Sequence, residues 1–168
     1  MKNCLIITGN EVNHNFFINS LNRECNNYKF TFIKVASGMN DFEYFYPTFS
    51  KEILKSQKKA IVNFIFNRNK TLCENEPFKL LKSSDSQIIF NNSKDLHLYL
   101  DQLLTEQSFD LILTYSSPII KNEKILDMLS FNLHLGLSRF YRGGISNVLA
   151  LSLNEFNKAG STCHELTA

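Results

Sequence analysis

Asn132 and His134 stand two residues apart in the apolar stretch Phe131-Asn132-Leu133-His134-Leu135, followed by Gly136-Leu137-Ser138-Arg139-Phe140-Tyr141-Arg142-Gly143-Gly144. Alternate residues of a strand point to one face, so this spacing brings a carboxamide and an imidazole out together. The carboxamide NH₂ donates a hydrogen bond without changing protonation state. Histidine, with an ordinary pKa of about 6.5, donates as imidazolium or moves a proton. Beside a glycine-containing loop with two arginines, the pair suits a carbonyl oxygen that gains negative charge during reaction. An edge strand carrying two solvated polar residues fits the same spacing.

Three segments, in order, resemble the folate-dependent formyltransferases. Asn132-Leu133-His134, Gly136-Leu137-Ser138 and Tyr141-Arg142-Gly143 are similar to that family's signature. Upstream, Phe109 to Ile120 (FDLILTYSSPII) resembles the strand and loop lining its folate pocket. Downstream, Gly160-Ser161-Thr162-Cys163-His164 resembles its Gly-x-Thr-x-His strand. The likeness is good over about residues 105–168 and holds only in general pattern before that.

The resemblance implies attack by an acceptor amine on the formyl carbon of 10-formyltetrahydrofolate, used as co-substrate with no metal. Asn132 and His134 become the catalytic donors to the oxyanion. Tyr115, Ser116, Ser117, Pro118 and Ile119 become the cofactor strip, and Ser138, Arg139, Arg142 and Gly143 the substrate loop. Arg142 would brace that loop. Arg139 stands where the family usually has proline, a residue that fixes φ and stiffens the turn; it brings a charge that can bind an acceptor phosphate. His164 matches a family position, as a strand histidine packed under the site. The family's third catalytic group, an Asp paired with the histidine, falls by its spacing a few residues past Ala168. Asp110 and Asp127 lie on the wrong side of the motif to replace it. Residues 1–168 therefore read as the N-terminal part of a formyltransferase domain, incomplete at its C-terminus.

The elements that must position these residues alternate between strand and helix. Asn3 to Thr8 is continuous and apolar, as a buried parallel strand is. Gly9-Asn10-Glu11 turns into a helix over about residues 12–24, with His14 as an exposed loop histidine. Gly9 is a lone glycine, without a dinucleotide fingerprint or a P-loop lysine. Phe30 to Val35 is a second strand by its β-branched and aromatic content. An amphipathic helix runs from Phe49 to Asn67 on Ile53, Leu54, Ala60, Ile61, Phe64 and Ile65. Gln87 to Phe90 is a short strand. Asn92-Ser93 caps a helix with Leu96, Leu100, Leu103 and Leu104 in one stripe and His97 solvated. Leu111 to Thr114 is a strand, Ile119 to Leu129 a short helix, and Phe131 to Leu135 a strand. A helix from Gly143 to Phe156 stops at Asn157 and Gly160, before a strand from Ser161 to Leu166. Such alternation argues an α/β, Rossmann-like three-layer domain: a mostly parallel sheet with helices on both faces.

Composition narrows the function. A chain of 168 residues, 43% hydrophobic and 20% charged, is that of an ordinary globular domain. Its net charge of +2 is too small to argue for nucleic acid, so tRNA is an unlikely partner but not an excluded one. Lys51, Lys55, Lys58 and Lys59 read as the solvated side of a helix. Cys4, Cys25, Cys73 and Cys163 are scattered, which favours reduced buried thiols over zinc or disulfides. Cys4 to Ile7 is too short for a signal peptide or a membrane span, which places the protein in the cytoplasm.

For the acceptor, the resemblance favours a small primary amine, preferably a nucleotide-linked amino sugar. Glu11 in the first loop would repel the phosphate of glycinamide ribonucleotide. A catalytically incomplete folate- or ligand-binding module is the second reading, and a methionyl-tRNA formyltransferase fragment a third. Oligomeric state is not legible.

Overall fold

The computed structural model describes residues 1–36, 67–68, 70–71, 87–141 and 146–167. They divide between two compact units: Met1–Ser37, Phe78–Leu133 and Cys163–Ala168 in one, Gly38–Pro77 and His134–Thr162 in the other. The helix expected from Phe49 to Asn67 lies outside the described residues apart from Asn67, and Cys73 lies outside them too.

In chain order the described elements are β1 (Lys2–Gly9), α1 (Val12–Glu24), β2 (Tyr28–Val35), β3 (Gln87–Phe90) and α2 (Ser93–Glu106). β4 (Leu111–Tyr115), α3 (Glu123–Leu126), β5 (Ser130–His134), α4 (Ser146–Ser152) and β6 (Thr162–Glu165) follow. The strands form one sheet in the order β3-β2-β1-β4-β5-β6. The pairs β1·β2, β1·β4, β2·β3 and β4·β5 are all parallel. The chain winds outward in one direction through β2 and β3, then in the other through β4 and β5. The switch therefore falls between β1 and β4, and in open α/β sheets ligands bind beyond the carboxyl ends of the strands at such a point.

The period of two along the strands sorts the core of the first unit onto two faces. Cys4, Ile6 and Phe32 pack with Ile18 of α1. Leu5, Ile7, Ile33, Val35 and Ile112 pack on the other face with Leu96, Leu100 and Leu103 of α2 and Ile125 of α3. The α/β class, with helices on both faces of a parallel sheet, is thus as expected. So is the α2 cap, where Asn92 Oδ1 accepts the Asp95 N–H at 2.9 Å.

Two helix boundaries differ from the sequence reading. Only Glu123–Leu126 is helical within the expected span from Ile119 to Leu129. Asn122 starts that turn by accepting the Ile125 N–H at 3.2 Å and donating to Asp101 at 2.6 Å, so Ile119 and Ile120 stay outside it. The last long helix ends earlier than Asn157. Asn154 has φ 59°, the Glu155 N–H bonds to Ala150 O at 2.8 Å, and the Asn154 N–H bonds to Leu151 O at 3.1 Å. That pairing is a Schellman close, with asparagine taking the left-handed position.

Candidate functional site

The first unit holds Asn132 between two partners. β4 and β5 pair in parallel with Thr114 opposite Asn132, which sets both side chains on one face. Thr114, 1% exposed, lies 2.8 Å through its Oγ1 from Asn132 Oδ1. Asn132 Nδ2 lies 3.2 Å from His164 Nε2, and His164 Nδ1 lies 3.0 Å from the Glu165 carbonyl oxygen. His164 is exposed on β6, a short strand at the edge of the sheet, rather than packed beneath the site.

The strip expected to hold the cofactor lies at the carboxyl end of β4. Tyr115 is buried; its hydroxyl accepts from Asn13 Nδ2 at 2.9 Å, and the ring meets His14 and Phe17 edge-on. Its ring is thus taken up by packing within the first unit. Ser116 takes φ 52°, a left-handed conformation uncommon outside glycine. Ser117 Oγ donates to Pro118 O at 3.0 Å, and Ile119 is 79% exposed. A strained turn carrying a bare isoleucine beyond a strand end fits a planar, partly apolar ligand such as a pterin.

His14 is in α1 and 4% exposed, not on an exposed loop. It forms a capping box with Glu11, its Nδ1 accepting the Glu11 N–H at 3.0 Å. This packs the ring so tightly against Gly9 that a Cβ there would stand 2.4 Å from His14 Cε1. The helix start is thus occupied by its own acidic side chain, which disfavours an anion.

His134 belongs to the second unit, where its Nε2–H donates to Tyr141 O at 3.2 Å. The loop after it is pinned by Thr162, whose hydroxyl donates to Gly136 O at 2.8 Å and accepts the Ser138 N–H at 3.1 Å. Tyr141 Oη donates to the Glu155 carboxylate, which also takes Lys158 Nζ at 2.6 Å. Arg139 is exposed, with its guanidinium 4.5 Å from the Phe140 ring centroid. Arg142 and Gly143 lie outside the described residues. The expected catalytic pair therefore shares strand β5, with Ser138 in the loop that follows.

The sequence reading missed Thr114. Its signal was a lone hydroxyl in an otherwise apolar strand, Leu111-Ile112-Leu113-Thr114.

This is a formyltransferase fold. No family model and no curated protein matches the sequence, but solved structures match its fold. A 4-N formyltransferase from Francisella tularensis is 18% identical with a TM-score of 0.50, covering 99% of this chain and 50% of that one. A phosphoribosylglycinamide formyltransferase from Anaplasma phagocytophilum is 14% identical with a TM-score of 0.52, covering 98% and 64%. The Coxiella burnetii phosphoribosylglycinamide formyltransferase, solved with CHES, is 14% identical with a TM-score of 0.51, covering 98% and 65%. The chain thus spans between 50% and 65% of the length of these proteins.

Among the described residues no cluster of three or more His, Cys, Asp and Glu side chains could hold a metal ion. Nor is any described helix long and apolar enough to cross a membrane.

Proposed function

We propose that the protein transfers a formyl group from 10-formyltetrahydrofolate to a primary amine of a small metabolite, preferably a nucleotide-linked amino sugar. The observation that carries this reading is the pair Asn132 and His134 at alternate positions of β5, on a formyltransferase fold. When bound, the folate supplies the activated formyl group. Asn132 donates from Nδ2 to the formyl oxygen as charge develops there, and needs no proton transfer to do so. His134 donates to the same oxygen or relays the proton that the acceptor amine gives up. The turn from Ser116 to Ile119 binds the pterin through backbone groups and the Ile119 side chain. Ser138, Arg139, Arg142 and Gly143 form the acceptor loop, with exposed Arg139 available to a phosphate.

Glu11 at the start of α1 supports an acceptor other than glycinamide ribonucleotide, since a phosphate there would meet a carboxylate. The formyl group of the Francisella enzyme goes, by its name, to a nitrogen, in keeping with an amine acceptor.

The test is transfer by the purified protein, supplied with 10-formyltetrahydrofolate and a panel of nucleotide-linked amino sugars. Formylated sugar and tetrahydrofolate should appear in equal amounts. Asn132→Ala and His134→Ala should each lower turnover by about 10²-fold or more. Turnover within a few fold of the parent in both variants removes the proposed roles. Folate binding with no transfer to any acceptor supports the binding-module reading instead.

A further inference from the structure

The hydrogen bonds around Asn132 have a direction, and it can be worked out from one end. The Glu165 carbonyl oxygen can only accept, so His164 Nδ1 carries the proton of the contact at 3.0 Å. The neutral ring then has a bare lone pair on Nε2, which takes a hydrogen from Asn132 Nδ2 at 3.2 Å. That choice leaves Asn132 Oδ1 facing Thr114 Oγ1 at 2.8 Å, where an amide oxygen can only accept and the hydroxyl must donate. Among the described residues the hydroxyl's other acceptor is Phe131 O at 3.5 Å, a much weaker bond.

From this chain we infer that Thr114 is a positioning residue: its hydroxyl fixes which end of the Asn132 carboxamide faces the reacting oxygen. Asn and Gln amides are nearly symmetric in shape, so packing alone does not choose between their two flips. Thr114 holds the oxygen end inside the sheet. One Nδ2 hydrogen goes to His164, and the second is left for the substrate. In the reverse flip the carboxamide would present an acceptor to the developing oxyanion, which is repulsive. The parallel register that sets Thr114 opposite Asn132, and its burial at 1% exposure, give the hydroxyl little freedom to point elsewhere.

This inference rests on the proposed role of Asn132 and is tested apart from it. Thr114→Val keeps the shape and removes the donor; Thr114→Ser keeps the donor and removes a methyl. Transfer by Thr114→Val should show kcat lowered roughly tenfold with KM nearly unchanged, the scale of one lost hydrogen bond. Thr114→Ser should return kcat to within about threefold of the parent, since the donor is restored. The second readout is the Asn132 side-chain NH₂ in an amide-resolved NMR spectrum, identified by its disappearance in Asn132→Asp. The pair should be sharp in the parent and in Thr114→Ser, and shifted or exchange-broadened in Thr114→Val.

Equal kcat in Thr114→Val and the parent overturns the inference, as does equal loss in the Val and Ser variants, which would mark a packing effect. If the parent transfers no formyl group, the functional reading fails and the spectrum decides the positioning: an unmoved Asn132 pair in Thr114→Val overturns it, and a perturbed pair rescued by serine supports it.

Discussion

Substituting Gly136 by alanine should silence His134 without removing a polar group. A Cβ at position 136 would lie 2.4 Å from Ser146 Cβ and 2.7 Å from His134 Nε2. Ordinary carbon contacts settle at about 3.5–4.0 Å, so the overlap with Ser146 exceeds about 1 Å. Ser146 is buried, at 1% exposure, within α4, and it cannot retreat cheaply. The half-buried His134 ring is the softer side, and it should swing away from the methyl, breaking the bond from Nε2 to Tyr141 O. Overpacking of this size costs about 1–3 kcal/mol of stability. A catalytic group displaced by about 1 Å can cost about 10²-fold in rate.

The assay is formyl transfer together with denaturant unfolding. Gly136→Ala should remain folded, with its unfolding midpoint lowered and kcat reduced by roughly 10²-fold. Gly160→Ala is the control: its methyl would meet Leu137 Cδ2 at 2.8 Å, the movable end of a flexible side chain, and should leave kcat near the parent value. In a His134→Ala background the Gly136 substitution should add little further loss of rate, since both act on one group. A folded Gly136→Ala protein with kcat within about threefold of the parent would refute the placement of His134 in the reaction.

Two further outcomes follow from burial. Desolvation holds the Lys34 ammonium below its ordinary pKa of 10.5, and its Nζ donates to Asn15 Oδ1 at 2.6 Å. The unfolded chain therefore binds that proton more tightly, so this group's contribution to stability rises with pH from the lowered pKa up to 10.5. Lys34→Met should be at least as stable as the parent at neutral pH, and the parent-minus-variant difference should rise with pH over the alkaline range because only the parent carries the group; urea unfolding across that pH range measures both. The Cys4 thiol, fully buried on β1, is pushed up to about 12, with desolvation the larger cause and Cys25 the lesser. Mild alkylation of the folded protein, mapped by peptide mass, should therefore modify exposed Cys163 and spare Cys4; early labelling of Cys4 would contradict its burial.

The Cys4 and Lys34 cases mark where sequence reading succeeds and where it fails. The scattered cysteines were expected as reduced, buried thiols; Cys4, in a continuous apolar run, is buried, whereas Cys163 on the short edge strand is exposed. Legible in the same way as Cys4 are α2, whose leucine stripe and Asn92 cap are local features, and β3, bracketed by polar residues. Lys34 was invisible as a buried charge, since a lysine at a strand end ordinarily reaches solvent. His14 was missed in the same way: only the packing of α1 on β4 takes the ring out of water.

The sequence by itself determined the alternation of strands and helices, and hence the parallel α/β class. It also determined the adjacency of Asn132 and His134 on one strand, because period and hydrophobic continuity are written along the chain. Tertiary structure decided what those residues do with their hydrogen bonds. Thr114 and Asn132 are 18 residues apart, and His164 is 32 beyond Asn132. Only the parallel register of β4 on β5, with β6 at the sheet's edge, brings the three side chains within reach of one another. Hydrogen bonds that depend on register leave no local pattern, so the strand was legible in advance and the orientation of its carboxamide was not.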